Sequence, residues 1–288
     1  MSPSTTHQIH HTLPLTLIVA TTPVRIASSS PSPNDASTRL GIGLKGTLPW
    51  PRIKTDMSFF ARATSRAPAP GTTNAIIMGR KTYYSVPKHL RPLAKRISVV
   101  VTRDTTGSVR DEVMKDLEAR KAKMAETVKA KAKAEAEAAG AVAAAVANEA
   151  PAPEPETAAL VAPSLDAALS ELDALYGKAG RLGKIYVIGG AEIYGLASRM
   201  EAVDQQGRRR PVRIVLTNVV RRIEGQDGAD TEGYECDTFF PVEGLGTDQG
   251  WRCVSSSEVS EWVGEEVTGE WIRDGDVEVQ MVGYERVD

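Results

Sequence analysis

Five short apolar runs constrain the fold of this chain more than any other feature: residues 15–20 (LTLIVA), 74–78 (NAIIM), 96–102 (RISVVVT), 184–188 (KIYVI) and 213–217 (RIVLT). Each is rich in β-branched residues, and its hydrophobicity is continuous rather than alternating. Strands that read this way are covered on both faces, as in a parallel α/β sheet. Residues 276–287 (DVEVQMVGYERV) alternate instead. They read as an outer antiparallel strand, paired with residues 251–259, so the sheet is expected to be mixed and mainly parallel. Helices fit between the runs at 56–63, 81–85 and 164–175, the last opening on Ser164 as N-cap with Leu165, Ala168, Leu169, Leu172 and Leu175 at helical spacing. The expected fold class is α/β: a single domain with a central mixed sheet flanked by helices.

One stretch departs from this alternation. Residues 111–149 are almost entirely Ala, Lys, Glu and Val, and a Pro/Glu-rich stretch follows at 151–156. High helix propensity and the i,i+4 pairs Asp111/Lys115 and Asp116/Arg120 predict a long helix, about 58 Å if continuous at 1.5 Å per residue. Val113, Leu117, Met124 and Val128 form a weak apolar seam at near-heptad spacing. A coiled-coil or docking arm would use such a seam, but it is short and fades into alanine, so a solvated helix or partly disordered insert is the reading. The Pro/Glu stretch reads as a stiff linker. The expected organisation is a tail at 1–12 and one domain at 13–288 interrupted by an insertion at 105–163, with a surface loop at 28–38.

Bulk properties remove several function classes. A formal net charge of −2 supplies no global field to attract nucleic acid or an anionic membrane. The apolar run at 13–20 is too short to span a bilayer and has no preceding Lys or Arg, so a soluble, cytoplasmic protein is expected. Cys236 and Cys253 stand apart from any CxxC pattern and read as inert thiols. His7, His10 and His11 sit in the tail, where a polar segment rather than a metal site is expected. No metal is expected, and the partner is a small molecule bound by a monomer.

Three motifs carry chemistry. In residues 41–50 (GIGLKGTLPW), three glycines let backbone approach a ligand closely, and Leu48-Pro49-Trp50 presents an aromatic ahead of Asp56 in the first turn of a helix. An acid there serves the helix dipole in the plain account. Met57 and Phe60 lie on the same face, however, so Asp56 borders an apolar slot where a carboxylate is costly without a matched partner. A planar amidine- or guanidine-like edge, as on a pterin ring, offers two parallel N–H donors to both its oxygens. In residues 77–82 (IMGRKT), a strand ends at Gly79 and a helix begins with Arg80, Lys81 and Thr82; cations oppose a helix N-terminal dipole, so their placement calls for an anion. In residues 187–194 (VIGGAEIY), a strand runs through Gly189-Gly190 into a helix whose bare amides suit a pyrophosphate, without the GxGxxG dinucleotide fingerprint. Thr102 and Arg103 follow a strand's carboxyl end, where α/β sheets bind ligands, and Arg96 at the other end is a candidate carboxylate clamp.

These pieces in this order resemble the dihydrofolate reductase family. The ordered set is IVA (18–20), GIGxxGxLPW (41–50), Asp56 with Phe60 one turn on, IMGRKT (77–82), RPL (91–93) then RISVVVTR (96–103), IGGAEIY (188–194), Leu216-Thr217 and DTFFP (237–241). The resemblance covers the chain apart from its tail and insertions. It implies NADPH-dependent reduction of 7,8-dihydrofolate to tetrahydrofolate, by hydride transfer to pterin C6 with protonation at N5. It assigns Asp56 and Trp50 to catalysis, the acid orienting the pterin and the indole holding a proton-donating water. Ile18, Met57, Phe60, Leu93 and Thr217 would contact the substrate beside Asp56, and Arg96 would pair with its glutamate tail. Ala20, Ile42, Gly43, Gly46, Thr47 and Ile188 would lie about the nicotinamide, residues 41–47 as a mobile closing loop. Gly189, Gly190, Ala191, Glu192, Ile193 and Tyr194 would hold the pyrophosphate, with a cis Gly189–Gly190 peptide. Gly79, Arg80, Lys81, Thr82, Thr102 and Arg103 would bind the adenosine side, the cations selecting NADPH by its 2′-phosphate. Leu90 stands where many relatives carry a polar residue. The competing readings are a same-fold pyrimidine reductase of riboflavin synthesis, which would not combine Leu48-Pro49-Trp50 with Asp56 and Arg96, and a non-catalytic folate/NADPH-binding scaffold.

Overall fold

The structure is a computed structural model describing residues 12–26, 37–138, 153–201, 203, 207–225, 228–242 and 244–287. The histidine-bearing tail at 1–11, most of the expected surface loop (28–36) and the segment 139–152 lie outside the described residues. The strands run β1 (Leu15–Ile26), β2 (Ser37–Gly43), β3 (Thr73–Gly79), β4 (Ile97–Val101), β5 (Ala158–Ala162) and β6 (Leu182–Gly189). They continue with β7 (Val212–Gly225), β8 (Gly228–Glu232), β9 (Thr238–Phe239), β10 (Trp251–Val254), β11 (Ile272–Asp274) and β12 (Val277–Arg286). The helices are α1 (Lys54–Ser65), α2 (Arg80–Ser85), α3 (Ser108–Ala138), α4 (Leu165–Leu172), α5 (Ala191–Ser198) and α6 (Ser256–Val263). Contacts divide the chain into two compact units, Met1–Thr64 with Lys184–Asp288, and Ser65–Gly183.

The first unit is organised on β1. This strand is parallel to β6, with Leu15 opposite Ile185, and parallel to β7 from Leu15↔Val212 to Thr21↔Asn218. Its side chains from Leu15 to Val19 are all buried, as a strand covered on both faces requires. β12 lies antiparallel to β7 and β10 antiparallel to β12, giving the order β10-β12-β7-β1-β6. Along β12 buried and half-buried residues alternate, so its sequence pattern reports a strand with one face inward. The expectation of a strand across 251–259 holds only as far as Val254. Ser255 then starts a capping box: its hydroxyl accepts from the Glu258 amide at 3.2 Å while Glu258 accepts from the Ser255 amide at 3.0 Å. That reciprocal pair commits the following residues to α6. Ser37 and Thr38, expected in a loop, begin β2, which returns antiparallel along β1 with Gly41 opposite Thr22.

The second unit is built on β3, β4 and β5, all parallel, with Ala75↔Ile97 and Ile97↔Ala158 in register. β4 is buried throughout, and β3 as far as Met78. The presence of β5 corrects the expected insertion, because residues 158–162 are the outer strand of this sheet rather than returning linker. Ser164 caps α4 by accepting from the Ala167 amide at 3.1 Å, but the α-helix stops at Leu172 and a π-turn (Asp173–Gly177) carries the chain on. The long helix α3 is two things in one. Its first turns are docked: Val109, Val113 and Leu117 form an i,i+4,i+8 stripe, each no more than 4% exposed. Tyr83 donates to Asp116 at 3.1 Å, and Arg120 donates to the His89 carbonyl at 3.0 Å. Beyond that the helix is largely exposed, Val128 at 68%. Of the apolar seam read from the sequence, Val113 and Leu117 are thus buried within this unit and Val128 is left exposed.

Candidate active site

Asp56 owes its position to the two residues flanking it. Residues 48–51 lead into α1 with Trp50 and Ile53 buried, and Ile53 carbonyl accepts from the Met57 amide at 3.1 Å. The free amide of Thr55 is taken by Asp274 of β11 at 2.7 Å, which caps the helix from outside it. Asp56 is therefore relieved of capping duty. Its half-buried carboxyl hydrogen-bonds the side chain of Thr217 on β7, a residue only 2% exposed. Burial raises the Asp56 pKa above the usual carboxylate value, and the Thr217 hydrogen bond partly offsets that rise.

The β1–β7 register sets the surroundings. Ala20 lies opposite Thr217 and Ile18 opposite Val215 near the carboxyl ends of these parallel strands. The Tyr194 hydroxyl donates to the Ile18 carbonyl at 2.8 Å, and its ring meets Phe240 edge-on at 5.3 Å. Burial raises the Tyr194 pKa, and the nearby Asp56 carboxylate adds to the rise. Tyr194 thus lies near enough to Asp56 for the carboxylate's charge to act on it, a proximity not read from the sequence. Phe60 is half-buried and Met57 is 41% exposed, one turn apart on one face of α1. Trp50 packs edge-on against Tyr234 at 6.1 Å. Within the first unit, the structure brings together Ile18, Ala20, Asp56, Thr217 and Tyr194.

Two glycine-bearing turns belong to the same unit. The segment expected as a loop over 41–47 is strand up to Gly43, then a tight hairpin. Leu44 and Thr47 exchange backbone hydrogen bonds of 2.9 and 3.0 Å, with Lys45 (φ 50°) and Gly46 (φ 79°) both left-handed at the tip. Asp237 holds the tip by accepting from the Lys45 amide at 2.8 Å, and that bond lowers the Asp237 pKa. Ile42 is half-buried, whereas Gly46 and Thr47 are exposed. At the other turn, β6 passes into α5 through a cis Gly189–Gly190 peptide, with Gly189 at φ 136°, a conformation open to glycine. Gly190 is the N-cap and brings no side chain to the first amides of α5, those of Ala191, Glu192 and Ile193. Ile188 is half-buried just before the turn.

The second unit places the remaining candidates at opposite ends of its sheet. Gly79 lies opposite Val101, so α2 and the Thr102-Arg103 pair leave neighbouring strands at the same end. Gly79 caps α2 with no side chain, and Arg80, Lys81 and Arg103 are exposed while Thr82 and Thr102 are half-buried. Five basic or hydroxyl side chains and uncapped amides at one end of the sheet suit a phosphate. Leu93 and Arg96 sit at the far end of β4, Leu93 half-buried and Arg96 8% exposed. Among the described residues, no three His, Cys, Asp or Glu side chains gather as a metal site would need. Likewise no described helix is long and apolar enough to cross a membrane.

The profile of the family described as dihydrofolate reductase matches residues 36–139. A dihydrofolate reductase of Aedes albopictus is 47% identical over 68 residues, 24% of this chain and 36% of that protein. Longer alignments join this chain to the enzymes of Mus musculus, 27% identical over 73% of this chain and 77% of that protein, and of Pneumocystis carinii, 28% identical over 85% and 91%. Among solved structures, Schistosoma mansoni dihydrofolate reductase superposes with a TM-score of 0.52 at 22% identity, covering 96% of this chain and 99% of that one. That likeness is one of fold.

Proposed function

We propose that this chain, similar to the dihydrofolate reductases over the segments matched above, is a member of that family and reduces 7,8-dihydrofolate to 5,6,7,8-tetrahydrofolate with NADPH. The observation that carries this reading is the Asp56 carboxyl, raised in pKa by burial and hydrogen-bonded to Thr217. A carboxylate left with one hydroxyl partner has acceptor capacity to spare, and a pterin edge presents two coplanar N–H groups that would use it. Bidentate pairing orients the ring, and the resulting negative charge favours protonation of N5. Asp56 is the one carboxylate among the proposed substrate contacts, and no histidine is among them. Water is therefore the immediate proton donor, held in place by Asp56 and by the Trp50 indole. Ile18, Met57, Phe60 and Leu93 supply apolar contacts for the pterin and aminobenzoyl groups, and Arg96 pairs with a carboxylate of the glutamate tail.

The residues present fit a dinucleotide. The start of α5 offers amides that no side chain caps, and the start of α2 offers the same beside Arg80 and Lys81. Residues 189–194 would hold the pyrophosphate. Ala20, Ile42, Gly43, Gly46, Thr47 and Ile188 would line the nicotinamide. Gly79, Arg80, Lys81, Thr82, Thr102 and Arg103 would hold the adenosine side, the cations favouring a 2′-phosphate. NADPH, when bound, supplies the hydride delivered to C6. Consumption of NADPH on adding dihydrofolate, followed by absorbance, tests the whole reading. Turnover in the full-length protein is expected, with NADPH preferred over NADH. Binding of both ligands without turnover would instead leave a scaffold.

A further inference from the structure

α3 brings a second guanidinium to Arg96. Two anchors fix where α3 passes. Arg120 donates to the carbonyl of His89 at 3.0 Å, seven residues before Arg96. One turn further along the same helix face, about 6 Å on, the Met124 sulfur accepts from the Thr157 hydroxyl at 3.7 Å. That hydroxyl in turn accepts from the amide of Lys95, immediately before Arg96, at 2.8 Å. The helix is thus tied at two points to the segment leading into Arg96, and Arg120 lies near enough for its charge to act on Arg96. Arg96 is 8% exposed. The Nε atoms of both Arg96 and Arg120 are buried with no hydrogen-bond partner among the described residues.

Neighbouring cations do not arrange themselves this way unaided. Arg91, on the same stretch, has Asp116 at 3.5 Å and the rings of Tyr83 and Tyr84 at 5.3 and 5.2 Å. No carboxylate is paired with Arg96 or Arg120 among the described residues. Burial lowers the Arg96 pKa to about 10, and the charge of Arg120 adds to the fall. A buried, doubly cationic site without an anion is costly, and an anion with two carboxylates would relieve it.

We infer that Arg96 and Arg120 together form a two-guanidinium site for a dicarboxylate, and that Arg120 holds the second carboxylate of the substrate's glutamate tail. The first half of the inference stands on the second unit alone, while its identification with folate rests on the reduction proposed above. The helix α3 then contributes to substrate recognition.

The test uses the full-length protein and p-aminobenzoyl-glutamate, with p-aminobenzoate as the probe lacking the dicarboxylate. The wild-type chain is expected to bind the first more tightly. R120Q should reduce that preference about tenfold, the loss of roughly one charge-assisted contact, and R120K should recover part of it. Lys and Gln can both still donate to His89, so helix docking is retained. In the unaltered chain, arginine Nε–H resonances seen by NMR should move in a pair on titration with p-aminobenzoyl-glutamate and not with p-aminobenzoate. Equal binding of the two probes, or an R120Q preference equal to wild type, overturns the site. Loss of the preference in R120Q without any dihydrofolate turnover in wild type would uphold the site and sink the reduction. Turnover with an unchanged R120Q preference would do the reverse.

Discussion

Asp56 is held between opposed demands, and its chemistry follows from both. Burial raises its pKa, while the hydroxyl of Thr217 stabilises the anion. An acid whose folded pKa lies above its unfolded value imposes no penalty at low pH. Its cost grows as pH rises from the unfolded value toward the raised folded pKa and is complete above it, because the unfolded chain releases a proton that the folded state still holds. Asp56→Asn is therefore expected to raise the melting temperature of the ligand-free protein at pH 7.5, with the two proteins converging as pH falls toward the ordinary value of 3.8. A variant melting below wild type at pH 7.5 would count against a strained acid. The same substitution should cut turnover severely at neutral pH and leave NADPH affinity nearly intact, as fluorescence titration would show. Unchanged turnover would remove Asp56 from catalysis. This residue was legible in the sequence because an acid in the first helical turn beside Met57 and Phe60 lacks a plain reason to be apolar-flanked. Its partner Thr217 was named through the resemblance, whereas the nearness of Tyr194 on α5, whose hydroxyl donates to the Ile18 carbonyl, is recorded by no local pattern.

At the scale of elements, legibility followed burial. β1, β3 and β4 are covered on both faces and were visible as unbroken apolar runs. β12 announced itself by alternation. The strands that escaped notice are short or polar: β9 has two residues, β11 three, and the far end of β7 reads Arg221-Arg222-Ile223. β5 was hidden differently, since Ala-Ala-Leu-Val-Ala beside an alanine-rich helix offers no contrast. The helix α3 illustrates the converse. Its composition spoke of solvent, yet three apolar residues at i,i+4 spacing suffice to dock its first turns, each burial contributing about 1.5–3 kcal/mol. Leu117→Ala should accordingly lower stability by about 2–4 kcal/mol in urea unfolding. Val128→Ala, at a position 68% exposed, should change it by less than about 0.5 kcal/mol. Equal effects at the two positions would mean that the helix is not docked as described.

For the molecule as a whole, the question is which part of the region between β4 and α4 the fold requires. Read from the sequence, all of 105–163 looked dispensable. The structure divides it. β5 pairs with β4 along five registers from Ile97↔Ala158 to Val101↔Ala162, and α3 covers that sheet with Val109, Val113 and Leu117. Removing both would leave β4 with an unpaired ladder and would uncover the apolar surface on which Val109, Val113 and Leu117 pack. Replacing residues 104–163 by a short Gly/Ser linker is thus expected to yield a protein that melts many degrees lower or aggregates. Replacing only 126–152 keeps Arg120, Met124 and β5, and the melting temperature should stay within about 2 °C, because the described part removed is exposed helix. Calorimetry of the two variants against the full chain decides between these accounts. Near-native melting of the longer deletion would show β5 to be an ornament of the sheet. Collapse of the shorter one would show that the exposed half of α3 carries structure through contacts that its exposure gives no sign of.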